Sequence, residues 1–139
     1  MVEAIIEDLA AKQALFRSLE AIVSEDAILA TNTSSISVTA IAAGLARPSR
    51  VAGFHFFNPA PIMKLVEVVR AAQSDPTVIA TLVATATLWG KVAIVAKSTP
   101  GFVVNRVARP YYGEALRLLE EEATTPAELD AILTQGGGF

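Results

Sequence analysis

The chain contains a single histidine, His55, and a carboxylate, Glu67, that share the stretch GFHFFNPAPIMKLVEVV at 53–69. Each of the two lies inside an otherwise apolar, strand-like segment, where an ionisable group is costly to bury unless it is paired. A carboxylate that accepts a hydrogen bond from one ring nitrogen fixes the histidine tautomer and makes the other nitrogen a better base. The two residues are therefore a candidate pair for general-base chemistry.

Both residues also have a structural interpretation. His55 is consistent with a core histidine that bonds the backbone, and Glu67 with an exposed alternate position on an edge strand, because Leu65, Glu67 and Val69 share one face. The intervening NPAP at 58–61 predicts a tight loop that folds the second segment back beside the first. That loop favours the paired interpretation.

Other polar residues occupy positions at which ligand contacts are common. The run from Asn32 to Ser35 follows a strand-like segment, and ligands of open α/β sheets bind beyond the carboxyl ends of strands. A polar turn with a helix cap explains the same run. Asn105 lies among valines on a predicted helix, where its amide needs a partner. Glu7 and Lys12 lie on the first predicted helix, where charged residues usually form a solvated face.

The composition excludes several classes of site. With one histidine and no cysteine, we expect no metal site and no disulfide framework. The net charge of -3, with scattered basic residues, argues against nucleic acid as a partner. No apolar run reaches the roughly 18 residues that a membrane span needs, and we expect a cytoplasmic location without a membrane partner. The glycines form no G-x-G-x-x-G or phosphate loop, and there is no G-x-S-x-G elbow.

The elements that must position these residues change in type along the chain. Up to residue 97, strand-like runs alternate with helical segments, which is typical of an α/β sheet. Beyond residue 97 only helical signals remain: Thr99-Pro100-Gly101 is expected to open a helix that contains Pro110, and a capping box at 125–128 opens another. We therefore expect part of an α/β domain over 1–97 and the start of a helical domain over 98–139.

Three motifs together resemble the 3-hydroxyacyl-CoA dehydrogenase family: ATNTSS at 30–35, GFHFFNPAPIMKLVEVV at 53–69 and KSTPGFVVNR at 97–106. The resemblance extends over essentially the whole chain. It implies the C-terminal portion of a Rossmann-type doubly wound sheet, followed by helices of an all-α domain, with the active site in the cleft between the two domains. The activity it implies is reversible NAD-dependent oxidation of an L-3-hydroxyacyl-CoA to the 3-ketoacyl-CoA, as in fatty-acid β-oxidation.

The resemblance also assigns roles to individual residues. His55 corresponds to the catalytic base and Glu67 to the carboxylate that orients it, while Ser34 and Asn105 correspond to the catalytic residues that hold the substrate oxygens. The cofactor-binding positions that it implies surround the nicotinamide half of NAD: Glu7, Lys12, Asn32, Ser34 and Asn58.

The family's glycine-rich turn would precede Met1 and most of its helical domain would follow Phe139. We therefore expect an internal fragment, inactive by itself, of an enzyme that acts as a homodimer. One alternative is a catalytically inactive chain that serves only as a structural or association module. Another is a related NAD-dependent dehydrogenase of a different hydroxy acid, against which the order of HFFNP and LVEVV argues.

Overall fold

The computed structural model describes residues 1–138. It divides into two compact units, Met1–Val103 and a second unit that begins at Val104.

The first unit is built on a sheet of five strands in the order β1-β2-β3-β4-β5. The first three strands are mutually parallel, β4 is antiparallel to β3, and β5 is parallel to β4. The strands are β1 Val2–Glu3, β2 Leu29–Thr31, β3 Val51–Phe56, β4 Leu65–Arg70 and β5 Val92–Lys97. Helices connect the parallel pairs, so the predicted α/β class is confirmed, and the loop after β3 does fold β4 back beside it.

Three α-helices accompany the sheet: α1 Leu9–Glu20, α2 Val38–Ala42 and α3 Pro76–Leu88. Each begins where the side chain of a polar residue accepts a hydrogen bond from a backbone N–H of the first turn, and the three caps are Asp8, Ser37 and Asp75. Glu7 was expected on the first helix but lies before it, because the Asp8 cap delays the start of α1 to Leu9.

The alternation of side chains along β4 separates two apolar layers. Val66 and Val68 pack with residues of α3, whereas Val69 packs with residues of α1 and α2. Glu67 shares the face of Val69 and is fully buried between β3 and β5. The interpretation of Glu67 as an exposed residue of an edge strand is therefore wrong.

The second unit contains α4 Val104–Glu120, with Pro110 inside it, and α5 Pro126–Ala131, which leads into a π-helical turn. The predicted capping box is present at the start of α5. The helix expected to open at Thr99 begins only at Val104, because the residues before it form a turn. Among residues 1–138, no helix has the length and apolar character required to cross a membrane.

Candidate active site

His55 and Glu67 lie directly opposite each other on the antiparallel strands β3 and β4. The Nδ1 atom of His55 is 2.7 Å from Oε2 of Glu67, and the two side chains are 7% and 0% exposed. An ionised carboxylate can only accept a hydrogen bond, so Nδ1 donates to Glu67, and in the neutral imidazole Nε2 is then the acceptor. The structure thus brings together the pair predicted from the sequence and leaves one ring nitrogen able to accept a proton.

Further contacts hold each member of the pair. The second carboxylate oxygen of Glu67 accepts the backbone N–H of Val103 at 2.9 Å. The imidazole of His55 lies between two aromatic rings, with centroid distances of 4.7 Å to Phe57 and 5.7 Å to Phe102. These contacts limit rotation of both side chains and restrict the access of water to the pair.

The polar run after β2 lies next to the histidine. Since β1, β2 and β3 are parallel, their carboxyl ends meet at one edge of the sheet. The Oδ1 atom of Asn32 accepts the backbone N–H of Phe56 at 2.8 Å, which ties this run to the residue after His55. Ser34, two residues further on, is half-buried. The structure therefore places Asn32 against the strand of His55, and Ser34 follows it in the same polar run.

Glu7 follows β1 and accepts hydrogen bonds from the same polar run. Its Oε1 accepts the hydroxyl of Thr33 at 2.6 Å and the backbone N–H groups of Ser34 and Ser35 at 3.0 and 3.1 Å. Partial burial acts to raise the pKa of Glu7, but these hydrogen bonds together outweigh it and lower the pKa to about 2. Glu7 is therefore ionised at neutral pH and holds the loop that carries Ser34.

Lys12 is buried, with only 1% of its side chain exposed. Its Nζ lies 2.6 Å from Oε1 of Glu3 and 3.5 Å from Oε2 of Glu7, and it also donates to the carbonyl of Ile5 at 3.3 Å. The structure thus shows Lys12 bonded to protein carboxylates, one of which is Glu7. Its predicted contact with the cofactor stays a prediction.

The two remaining candidates, Asn58 and Asn105, lie outside the group of side chains described above. Asn58 is exposed in the loop after β3, three residues beyond His55. Asn105 is half-buried in the first turn of α4 and belongs to the second unit. Their predicted roles stay predictions. No group of three or more potential metal ligands occurs in the part of the chain that the structure describes.

The polar groups at the sheet edge suit a nicotinamide ring with its carboxamide. Such a group needs both hydrogen-bond donors and acceptors. The Oδ1 of Asn32 is used by Phe56, so its amide hydrogens are the part of the side chain left for donation. The Ser34 hydroxyl can donate or accept, and the Glu7 carboxylate, whose side chain is 37% exposed, can accept. The residues present therefore fit this cofactor.

Sequence reasoning missed three residues that the structure places at the site. Thr33 donates its hydroxyl to Glu7, and Phe57 and Phe102 contact the imidazole of His55. The signal for Phe102 was present in the preceding Pro100-Gly101, which is typical of a tight turn rather than of a helix start. No local pattern distinguishes Thr33 from its polar neighbours.

Comparison with known proteins agrees with the family that the motifs resemble. Residues 1–99 match the family model described as 3-hydroxyacyl-CoA dehydrogenase, NAD binding domain. Residues 101–139 match the model described as 3-hydroxyacyl-CoA dehydrogenase, C-terminal domain.

Two curated relatives align with the whole chain. The 3-hydroxyadipyl-CoA dehydrogenase of Escherichia coli is 52% identical over 139 residues, and the mitochondrial hydroxyacyl-coenzyme A dehydrogenase of Homo sapiens is 42% identical over 139 residues. The chain spans 29% and 44% of their respective lengths. The crystal structure of 3-hydroxybutyryl-CoA dehydrogenase from Escherichia coli superposes with a TM-score of 0.93 at 53% identity, covering 96% of this chain and 28% of that one.

Proposed function

The chain belongs to the 3-hydroxyacyl-CoA dehydrogenase family, and we propose that the protein containing it oxidises an L-3-hydroxyacyl-CoA to the 3-ketoacyl-CoA with NAD as its cofactor. The observation that carries this proposal is the buried hydrogen bond of 2.7 Å between His55 and Glu67. It supplies an oriented base at the carboxyl edge of the parallel strands, beside side chains that suit a nicotinamide group.

His55 acts as the general base in this proposal. Its Nε2 takes the proton of the substrate 3-hydroxyl, while NAD, when bound, supplies the acceptor for the hydride that leaves C3. The negative charge of Glu67 stabilises the imidazolium that forms, because the carboxylate already bonds Nδ1. In the reverse direction the same imidazolium returns the proton to the carbonyl oxygen.

The other site residues orient the reactants. Ser34 holds the oxygen on C3, and Asn105 holds the thioester carbonyl oxygen. Holding both oxygens limits the substrate to poses in which C3 faces the cofactor, which is the orientation contribution to the rate. The cofactor itself is held by Glu7, Asn32, Ser34 and Asn58, and Lys12 contributes through its ion pair with Glu7.

The proposal includes three finer statements: a role in fatty-acid β-oxidation, a homodimeric assembly and a cytoplasmic location. The assembly is supported by the second unit, in which α4 buries none of its residues and leaves Val107, Tyr112 and Leu116 exposed. Apolar side chains exposed in this way are typical of a surface that another helix covers. The role and the location follow from the sequence analysis alone.

The proposal is tested by following NADH absorbance with acetoacetyl-CoA as the substrate. Acetoacetate is the matched control, because it has the same reacting carbonyl without the CoA thioester. We expect NADH consumption with the thioester only. Consumption with the free acid would instead favour a dehydrogenase of simple hydroxy acids, and consumption of neither would contradict the proposed activity.

A second candidate function is association without catalysis, which the exposed apolar face of α4 favours. Sedimentation of the purified protein, with its intact mass, tests this candidate on the same samples. Self-association at an intact mass of 14.6 kDa, without NADH consumption, would support it. NADH consumption by the same sample would exclude it as the sole function.

A further inference from the structure

The residues between β5 and α4 form a turn with an uncommon backbone. The carbonyl of Thr99 accepts the N–H of Phe102 at 3.0 Å, with Pro100 second and Gly101 third in the turn. Gly101 has φ +73°, which is the arrangement of a type II turn. Phe102 then also adopts a positive φ, +45°. Residues with a Cβ rarely adopt this left-handed conformation, so contacts of Phe102 must offset its cost.

Those contacts lead to the two members of the candidate pair. The ring of Phe102 is 3% exposed and meets the imidazole of His55 edge-on, with an interplanar angle of 67°. The next peptide N–H, that of Val103, donates to Oε1 of Glu67 at 2.9 Å. A single strained residue therefore places an aromatic wall against the base and directs a backbone donor to the carboxylate.

We propose that Phe102 is a positioning residue for the His55–Glu67 pair. With Oε1 held by Val103, the carboxylate is rotated so that Oε2 faces Nδ1 of His55. With the rings of Phe57 and Phe102 beside it, the imidazole has one favoured plane, which sets the direction in which Nε2 points. The catalytic consequence of this arrangement rests on the proposed function, whereas the fixed tautomer of His55 does not.

The chain offers a direct readout, because His55 is its only histidine. The imidazole nitrogen signals in an NMR spectrum therefore report one residue and give its tautomer and its titration without any substrate. Phe102→Leu removes the aromatic edge while keeping an apolar side chain. Phe16→Leu is the matched control, since Phe16 is buried in the same apolar cluster and makes no ring contact with His55.

We expect the unmodified chain and Phe16→Leu to show one tautomer, with the proton on Nδ1. Phe102→Leu is expected to broaden this signal or to mix the two tautomers, and to change the pH dependence of the imidazole signals. Gly101→Ala is the second variant: it keeps the ring but puts a Cβ at φ +73°, a conformation that L side chains rarely adopt, so the turn is strained. It is expected to show the same spectral change, and it tests the proposal if Phe102→Leu does not fold.

The catalytic readout separates this proposal from the proposed function. In the active protein, Phe102→Leu is expected to lower kcat by about 10- to 100-fold with little change in KM, because small misplacements of a base are costly. Unchanged imidazole spectra in both Phe102→Leu and Gly101→Ala would overturn the positioning role, whatever the activity. The expected spectral change in a protein that consumes no NADH would contradict the proposed function and leave the positioning of the pair established.

Discussion

The sheet buries two carboxylates, Glu3 in β1 and Glu67 in β4, and gives them different partners. Glu3 bonds the ammonium of Lys12 at 2.6 Å, the hydroxyl of Thr31 at 2.7 Å and a backbone N–H at 2.6 Å. Glu67 bonds the imidazole of His55 at 2.7 Å and a backbone N–H at 2.9 Å. Both carboxylates are satisfied, but one partner is an ammonium, which can only donate hydrogen bonds, and the other is an imidazole with a second ring nitrogen.

This difference shows that the partner, rather than the burial, identifies a site for proton chemistry. An ammonium can only donate hydrogen bonds, so Glu3 and Lys12 form a fixed pair that links β1, α1 and, through Glu7, the polar run from Asn32 to Ser35. An imidazole that bonds a carboxylate through one ring nitrogen can bond a substrate through the other. Breaking the first pair should therefore cost stability, whereas breaking the second should cost activity.

The largest effect expected from this comparison is on catalysis. His55→Gln replaces the base with an amide that can still donate to Glu67, so the carboxylate keeps a partner. Loss of general-base catalysis should lower kcat by about 10²- to 10⁴-fold, with NAD affinity nearly unchanged. The measurement is NADH consumption with acetoacetyl-CoA, together with an NAD titration.

Urea unfolding of the same variant provides the control. If His55 serves proton transfer rather than folding, the free energy of unfolding should change far less than it does when Lys12 is replaced. A variant that keeps near-full turnover would remove His55 from the role of base. If His55→Gln lowers the free energy of unfolding as much as the Lys12 variant does, the His55–Glu67 pair also serves stability, and the contrast between the two pairs fails.

The next effect is on stability. Lys12→Met keeps an unbranched side chain of nearly the same length but leaves the buried carboxylate of Glu3 without its cation. Removing one partner of a buried ion pair typically costs about 3–5 kcal/mol. Urea unfolding should therefore show the largest destabilisation of any single change discussed here.

The double variant Glu3→Gln/Lys12→Met is the test of this mechanism. It removes the isolated charge, so it should recover part of the stability that Lys12→Met loses. A double variant whose loss of stability equals the sum of the two single losses would show that the packing of Lys12, and not its charge, carries the effect.

The same contrast explains what could be predicted from the sequence. The strands and the caps of α2 and α3 follow local rules: short apolar runs, and Ser or Asp before a helix. The pairing of His55 with Glu67 followed as well, because two lone ionisable residues in apolar strands joined by a tight loop have few other partners. The roles of the other site residues came from the resemblance to a family rather than from the residues themselves.

Other features depend on tertiary packing and were not predictable. Lys12 was expected on a solvated helix face, but its ammonium reaches Glu3 on a strand that only the fold brings near. The helix expected from Thr99 starts at Val104, because the turn through Phe102 bonds Glu67 in a strand more than thirty residues earlier. Local propensity contains no information about either contact.

A smaller effect on catalysis is expected from changing the other member of the His55–Glu67 pair. Glu67→Gln has the shape of glutamate, so the fold should be retained. Its one oxygen can accept from Val103, and its amide nitrogen then faces Nδ1 of His55, which has to change tautomer to accept from it. The substitution removes the charge that stabilises the imidazolium, and we expect a loss in kcat of about 10²-fold and a shifted pH profile. An unchanged pH profile would count against a functional link between the two side chains.

The smallest effect concerns the acid stability of the chain and Glu7, which contacts both Lys12 and the polar run from Asn32 to Ser35. Its pKa of about 2 in the folded chain lies below the ordinary value of 4.5, since hydrogen bonds from Thr33, Ser34 and Ser35 outweigh the effect of partial burial. A group with a lowered pKa in the folded state contributes stability above pH 4.5, and this contribution is lost as the pH falls towards 2.

Glu7→Gln removes this titration, so the variant should lose less stability than the unmodified chain between pH 4.5 and 2. The measurement is urea unfolding across that range, with Glu121→Gln, a change at an exposed carboxylate of the second unit, as the control. The effect should be modest, because the Glu7 side chain is 37% exposed and its interactions are partly screened by water. Equal acid sensitivity in Glu7→Gln and the unmodified chain would show that the loop around Ser34 does not depend on the charge of Glu7. The ion pair of Glu3 and Lys12 would then not influence the loop around Ser34 through the charge of Glu7.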